Sequence, residues 1–123
     1  MRDIILQYFH GLESGDADKI ANLFSAGGIV HSPLYGDMPA KEFYKDLFAD
    51  TKQSAIMLLN IFENTEKTNV YAVQFRYNWI LKDGSKTNFE CVDVFQFNEE
   101  NKISELTIIY DTYKLRSIFE NLP

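Results

Sequence analysis

Asp93 lies in a run of residues, 87–97, that predicts one β-strand. Because side chains in a strand alternate between two faces, Asp93 shares its face with apolar residues at every second position. Those neighbours are Phe89, Cys91, Phe95 and Phe97. An ionised carboxyl group is costly in such surroundings, so it either finds partners or keeps its proton. Asp93 is therefore a candidate site residue.

The face that Asp93 occupies depends on the register of the hairpin around residues 82–84. A three-residue loop places Gly84 in the left-handed conformation which this turn type requires, and it pairs Val73 with Asp93. A two-residue loop would pair Gln74 with Asp93 and would mix polar with apolar residues along both strands. We therefore favour the three-residue loop and an Asp93 side chain on the apolar face.

Length and composition limit the class of protein. A chain of 123 residues suffices for one domain, 1–123, with a buried core. A net charge of -6 argues against nucleic acid and anionic membranes as partners. One cysteine, no leader-like start and no long apolar run predict a cytoplasmic protein. Two distant histidines, without metal-binding spacing, predict no metal site, and no cofactor is expected.

Apolar residues at helical spacing predict three helices in the first half of the chain. The first runs from Ile5 to Ser14, the second begins at Asp16 and ends before Gly27, and the third spans about 39–51. The predicted buried faces are Ile5, Tyr8, Phe9 and Leu12 in the first, Ile20, Leu23 and Phe24 in the second, and Phe43, Leu47 and Phe48 in the third.

The second half of the chain is predicted to be mostly strand. The segments are 29–34, 55–63, 70–81, 87–97 and 103–110, followed by a final helix from about 111. That helix is expected to bury Leu115, Ile118, Phe119 and Leu122. Helices followed by long strands predict an α+β fold, in which a curved antiparallel sheet wraps around the N-terminal helices as a cone. Aromatic side chains at the open end of the cone would enclose an apolar cavity.

Several short phrases, in this order and spacing, resemble those of a known superfamily. They are Gln-Tyr-Phe at 7–9, Leu-Glu-Ser-Gly-Asp at 12–16, Leu-Phe at 23–24, Val-His-Ser-Pro at 30–33, and Val-Asp-Val-Phe-Gln-Phe-Asn at 92–98. The chain resembles the nuclear transport factor 2-like superfamily over nearly its whole length, and especially its SnoaL-like and ketosteroid isomerase-like members. The resemblance implies the cone-shaped fold.

The resemblance also implies roles for individual residues. Tyr8 and a protonated Asp93 match the pair of donors that forms the oxyanion hole of the steroid isomerases, and two donors in a dry cavity stabilise negative charge on a substrate oxygen. A core tyrosine with a satisfied hydroxyl is the alternative for Tyr8. Ser32 stands where those isomerases carry their base. His31 or Asp37 would have to replace it, and alternation allows only one of His31 and Ser32 to face the cavity.

Three functions follow as alternatives. The first is a domain that binds a small apolar ligand or carbonyl compound without catalysis, which the serine at the base position favours. The second is a cofactor-free isomerase, cyclase or dehydratase, and the third is a protein-interaction module. A homodimer through the outer sheet face is what the resemblance implies. The residues predicted to line the ligand cavity are Tyr35, Phe75, Tyr77, Trp79, Phe89, Phe95 and Tyr110.

Overall fold

Helices precede and follow a set of long strands, as the sequence predicts. A computed structural model of the chain describes residues 1–122, and Pro123 lies outside the described residues. In chain order the elements are α1 (Arg2–Ser14), α2 (Ala17–Ala21), β1 (Phe24–Ser32), β2 (Gly36–Pro39), α3 (Ala40–Ala49), β3 (Thr51–Glu63), β4 (Val70–Leu81), β5 (Lys86–Phe97), β6 (Ile103–Ile109) and α4 (Tyr113–Glu120). Within residues 1–122, no helix combines the length and hydropathy that a bilayer span needs.

The strands form one curved sheet in the order β2-β1-β6-β5-β4-β3. Strands β3 to β6 pair with their sequence neighbours as an antiparallel meander, which confirms the predicted arrangement. Strand β1 pairs antiparallel with β2 but parallel with β6, so the sheet is mixed rather than wholly antiparallel. The parallel pair was not predicted. It brings the residues at the end of β1 close to those of β5, across β6.

The turn between β4 and β5 has the three-residue loop that the sequence favours. Gly84 has φ 90°, a left-handed conformation that suits glycine. The Leu81 amide donates to the Ser85 carbonyl at 2.9 Å, and Val73 lies opposite Asp93. The predicted register is confirmed, so Asp93 lies on the inner face of the sheet.

The segment around the paired glycines differs from the prediction. Helix α2 is shorter than predicted, and Phe24 begins β1 instead of closing the helix. The pairing of β1 with β6 shifts register between Phe24 and Ile29, and Gly28 lies inside this bulge. A Cβ atom on Gly28 would lie 2.9 Å from the Phe24 ring and 3.1 Å from the Ile103 carbonyl oxygen. Gly28 is needed for close packing within a strand and does not end a helix.

Two other boundaries also differ. Residues 36–39 form the edge strand β2, where the sequence predicts a loop over 35–37 and the start of the third helix at Pro39, and β3 begins at Thr51, earlier than predicted. Strand β2 pairs with β1 through a tight hairpin, in which Gly36 lies opposite Ser32, and the first residue of β3 pairs with the end of β4, Thr51 opposite Leu81.

The helices pack their apolar faces onto the inner side of the sheet. All four residues predicted for the inner face of α1 are buried. In α3 the burial pattern is rotated, because Tyr44 is wholly buried and Phe48 is only half-buried. In α4 Leu115 is buried, while the other predicted residues are half-buried. Phe119 of that helix packs edge-to-face on Tyr35, with ring centroids 5.2 Å apart.

Candidate functional site

A small cavity lies between the inner face of the sheet and helices α1 and α3. Its volume is about 40 Å³, which is room for about three water molecules. The polar residues that line it include three of the predicted site residues, Tyr8, Ser32 and Asp93. Its aromatic lining includes the predicted Tyr35, Phe75, Tyr77, Trp79, Phe89 and Tyr110. The structure therefore brings most of the predicted site residues together.

Asp93 is buried with 1% of its surface exposed, and no salt bridge in residues 1–122 involves it. The Cys91 thiol donates to its Oδ1 atom at 3.4 Å. Burial raises the pKa of Asp93 to about 8, and the thiol's hydrogen bond opposes this only in part. Asp93 is therefore a neutral acid at pH 7.

The second carboxyl oxygen of Asp93 faces the cavity. Oδ2 makes no hydrogen bond to any other described residue. Every side-chain nitrogen or oxygen that is completely enclosed in those residues has a hydrogen-bond partner, so an atom without a partner is not completely enclosed. Oδ2 is therefore open to the cavity space. Since Oδ1 already accepts a hydrogen bond from Cys91, the proton is best placed on Oδ2, from which it is donated into the cavity.

Tyr8 is paired with a residue that the sequence analysis missed. Its hydroxyl lies 2.5 Å from the hydroxyl of Tyr44, and both side chains are buried. Burial raises the pKa of each phenol well above its ordinary value, so both are neutral. One of the two phenolic protons bridges the pair, and the other remains for a third acceptor. Tyr8 therefore contacts Tyr44 directly, and it shares the cavity with Asp93.

Ser32 points into the cavity, whereas its neighbour His31 points to the opposite face of β1, as strand alternation requires. Ser32 is 9% exposed, and its Oγ accepts hydrogen bonds from the amides of Leu34 at 3.2 Å and Tyr35 at 3.1 Å. The serine hydroxyl thus closes the turn that follows β1.

The two residues predicted as replacement bases do not reach the cavity. His31 Nδ1 lies 2.8 Å from Asp37 Oδ1, and His31 Nε2 lies 2.8 Å from Glu105 Oε1. These residues form a cluster across β2, β1 and β6 on the outer face, and the side chain of Asp37 is 73% exposed. Hydrogen bonds to the two carboxylates raise the pKa of His31. Contrary to expectation, neither His31 nor Asp37 lines the cavity, because both side chains lie on the outer face of the sheet.

The aromatic wall is held by hydrogen bonds that point away from the cavity interior. Trp79 Nε1 donates to Thr51 Oγ1 at 2.7 Å, and Tyr35 donates to Asp50 Oδ2 at 2.7 Å. The hydroxyl of Tyr77 lies 2.8 Å from Ser54 Oγ. Because these polar groups are satisfied, the rings present apolar surfaces to a ligand.

One predicted wall residue lies elsewhere. Phe95 has no exposed surface and packs edge-to-face against Tyr8, with centroids 5.1 Å apart. It does not line the cavity but supports Tyr8 from behind. Phe95 is therefore a core residue, because β5 continues past the floor of the cavity into the packed part of the cone.

Five lining residues were not predicted to contact a ligand. They are Leu12, Phe43, Leu47, Cys91 and Ile108. Leu12 follows Tyr8 by one helical turn, and Cys91 precedes Asp93 by two strand positions, so periodicity alone was a usable signal for both. Ile108 lies directly opposite Asp93 in β6, a pairing that the sequence did not specify. Among residues 1–122, no cluster of His, Cys, Asp or Glu is arranged to hold a metal ion.

A curved sheet that wraps around helices and encloses an apolar cavity defines a nuclear transport factor 2-like protein. The chain belongs to the SnoaL-like domain family, whose model matches residues 5–106. No curated protein sequence is significantly similar to it.

Solved structures share the fold at low sequence identity. The epoxide hydrolase/cyclase-like enzyme SalBIII, described for pyran ring formation in the polyether salinomycin, has a TM-score of 0.76 at 18% identity, with 89% of each chain covered. An NTF2-like protein of unknown function from Exiguobacterium has a TM-score of 0.75 at 18% identity, with 88% of this chain and 98% of that chain covered.

A third structure was solved with a small molecule. A protein with a ketosteroid isomerase-like fold from Catenulispora acidiphila, in complex with trimethylamine, has a TM-score of 0.76 at 10% identity. The alignment covers 88% of this chain and 85% of that chain. At these identities the three likenesses show the fold alone.

Proposed function

We propose that the chain binds a small uncharged molecule through an oxygen acceptor, with protonated Asp93 as the principal donor. The observation that carries the proposal is the carboxyl group itself, buried without a cationic partner in the described structure and open to the cavity at Oδ2. A neutral acid is a strong donor to a carbonyl or ether oxygen, and the apolar surroundings strengthen that bond.

Catalysis by the isomerase route has less support. That route needs a base inside the cavity, and both His31 and Asp37 lie on the outer face of the sheet. Ser32 is the residue at the base position, and a serine hydroxyl takes up no substrate proton at neutral pH unless another group activates it. Binding without proton abstraction is therefore the function we propose, although SalBIII shows that the same fold occurs in an epoxide hydrolase/cyclase-like enzyme.

The size of the cavity restricts the ligand. Pockets for drug-sized ligands have volumes of about 300–1,000 Å³. The present volume of about 40 Å³ admits a molecule of about three non-hydrogen atoms, and a ring of five or six atoms enters only when the aromatic walls move outward. We therefore propose small cyclic or short-chain carbonyl compounds and ethers as the ligand class.

A pH titration of ligand binding tests the proposal. We expect cyclopentanone to bind in ligand-observed NMR at pH 7 and to lose about tenfold in affinity at pH 9, because the binding-competent fraction falls as Asp93 ionises. Asp93→Asn keeps a donor at every pH, so its affinity should not change over this range. Asp93→Leu has no donor and should bind weakly throughout.

Methylenecyclopentane is the matched control compound, because it has the shape of cyclopentanone without the acceptor oxygen. Its binding should be insensitive to the Asp93→Leu substitution. Equal binding of cyclopentanone by wild type and Asp93→Leu would contradict the proposal. Affinity for an amine such as trimethylamine that rises with pH, with none for the ketone, would show instead that ionised Asp93 holds a cation.

We also propose that the outer sheet face forms a homodimer. Three large apolar side chains on it are half exposed or more, Met57 at 58%, Phe62 at 53% and Ile109 at 53%. Two of them stand beside smaller apolar residues on neighbouring strands, since Phe62 pairs with Ala72 and Ile109 with Val92, whereas Met57 pairs with Arg76. An apolar patch of this kind, rimmed by polar residues, suits a self-complementary interface.

Sedimentation velocity measures the oligomeric state directly. Wild type is expected to sediment as a dimer at micromolar concentration and Phe62→Lys as a monomer, because a charge would be buried in the interface. Tyr113→Lys is the matched control, since Tyr113 is 85% exposed on α4, and this variant should remain a dimer. A monomeric wild type would contradict the proposal and would leave the face for a different protein partner.

A further inference from the structure

We infer that Ser32 is a second donor of the cavity, and that Ser32 and Asp93 together select a small uncharged molecule with two acceptor oxygens. This inference rests on the proposed function and extends it to a second point of recognition. It also assigns Ser32 a role opposite to that of a base.

The hydrogen bonds of Ser32 determine what its hydroxyl can do. A hydroxyl oxygen has two lone pairs and one proton. Both lone pairs are engaged, because the amides of Leu34 and Tyr35 donate to Oγ at 3.2 Å and 3.1 Å. The hydroxyl donates to no other described residue, and Ser32 is buried against the cavity. Its proton is therefore available only to an acceptor in the cavity, and its oxygen has no lone pair left with which to act as a base.

The sheet places Ser32 and Asp93 in one row across three strands. Asp93 lies opposite Ile108 in β6, and the parallel pairing of His31 with Thr107 continues to Ser32 beside Ile108. All three inward-facing side chains of this row line the cavity. Two strand spacings separate the Cα atoms of Ser32 and Asp93 by about 10 Å.

This spacing of the Cα atoms favours a ligand with two acceptor atoms. One oxygen that accepts from both donors would need the donor atoms within about 5–6 Å of each other, given ordinary hydrogen-bond lengths. Two acceptor atoms about 3 Å apart, each accepting from a donor on its outer side, place the two donor atoms about 8 Å apart. This distance fits the Cα separation of about 10 Å when both side chains extend into the cavity. Lys, Arg and His are absent from the described lining, so a buried anion would be uncompensated and the ligand is uncharged.

Two other groups compete for the role of second donor, the spare phenolic proton of the Tyr8 and Tyr44 pair and the hydroxyl of Tyr110. The first belongs to helices α1 and α3, outside the row of strand residues that holds Ser32 and Asp93.

Tyr110 lines the cavity, its ring stacks on Phe89 with centroids 4.4 Å apart, and its hydroxyl bonds to no other described residue. Tyr110 follows the last residue of β6, whereas Ile108, in the row of Ser32 and Asp93, lies within that strand. We therefore assign the second contact to Ser32, and the variants below distinguish Ser32 from Tyr110.

Three six-membered rings of nearly equal size provide the probes. Cyclohexane has no acceptor, tetrahydropyran has one, and 1,4-dioxane has two on opposite sides of the ring. Their affinities for wild type, Ser32→Ala, Ser32→Thr and Tyr110→Phe are to be measured by protein-observed NMR titration at pH 6.5. We expect wild type to prefer 1,4-dioxane to tetrahydropyran by about fivefold, the usual effect of one added hydrogen bond.

The variants identify the side chain that causes the preference for 1,4-dioxane. Ser32→Ala is expected to bind the two ethers equally, Ser32→Thr to keep the preference because it keeps the hydroxyl, and Tyr110→Phe to be unchanged. No preference for 1,4-dioxane in wild type overturns the inference, even if Ser32→Ala does not fold. Loss of the preference in Tyr110→Phe overturns it as well. A preference of tetrahydropyran over cyclohexane that disappears in Asp93→Leu supports the proposed function independently, so the two ideas fail separately.

Discussion

Replacement of Asp93 by Asn is expected to remove a large pH dependence from the stability of the protein. The pKa of Asp93 is about 8 in the folded chain, whereas an unfolded Asp titrates near pH 4. Between these values the folded state holds a proton that the unfolded state has lost, so the free energy of unfolding falls as pH rises. We expect wild type to lose about 3 kcal/mol between about pH 5.5 and 9 from this group, and Asp93→Asn to lose none of it.

Urea unfolding at a series of pH values measures the effect, and the quantity to compare is the difference between wild type and Asp93→Asn. His31 also contributes stability that is lost as pH rises, because its pKa is raised in the folded state. That contribution is present in both proteins and cancels in the difference. Parallel stability curves for the two proteins would show that Asp93 is already ionised in the fold.

Removal of one hydroxyl from the Tyr8 and Tyr44 pair is expected to cost about 2 kcal/mol, since the remaining hydroxyl stays buried without its partner. Removal of both is expected to cost less than the sum of the two single changes, because no polar group is then left unsatisfied. The measurement is a double-mutant cycle of Tyr8→Phe and Tyr44→Phe by chemical unfolding, with an expected coupling of about 1–2 kcal/mol.

Tyr71→Phe is a matched control for this cycle. Its ring packs against Phe97 on the inner face of the sheet, but its hydroxyl is exposed, 3.5 Å from Glu63 Oε1, so loss of that hydroxyl should cost little. Strictly additive effects of Tyr8→Phe and Tyr44→Phe would indicate that the two hydroxyls do not depend on each other. The single variant Tyr8→Phe would then have to be explained by packing alone.

The placement of Asp93 was predictable because it depends on local rules. The two-residue period of a strand and the glycine requirement of a three-residue turn together fix the register of β4 and β5. Both rules act over a few residues, and Gly84 adopts the conformation that they require. Alternation along β1 likewise separates His31 from Ser32 without any knowledge of the remaining chain.

The residues that were missed depend on contacts between distant segments. Tyr44 adjoins Phe43 on α3, and only the packing of that helix on the sheet determines that Tyr44 is buried against Tyr8. The parallel pairing of β1 with β6, which brings Ser32 near Asp93, joins strands far apart in sequence. The volume of the cavity depends on how all the rings pack together, and composition contains no information on that arrangement.

The central claim is that Asp93 is a neutral donor in an apolar cavity. The most direct measurement is a pH titration of its side-chain carboxyl carbon by 13C NMR, with the signal assigned by its absence in Asp93→Asn. The structure predicts a midpoint near pH 8, because burial raises the pKa of this group. A midpoint at or below the ordinary value of about 4 would show that Asp93 is ionised at neutral pH, which would contradict its role as a donor.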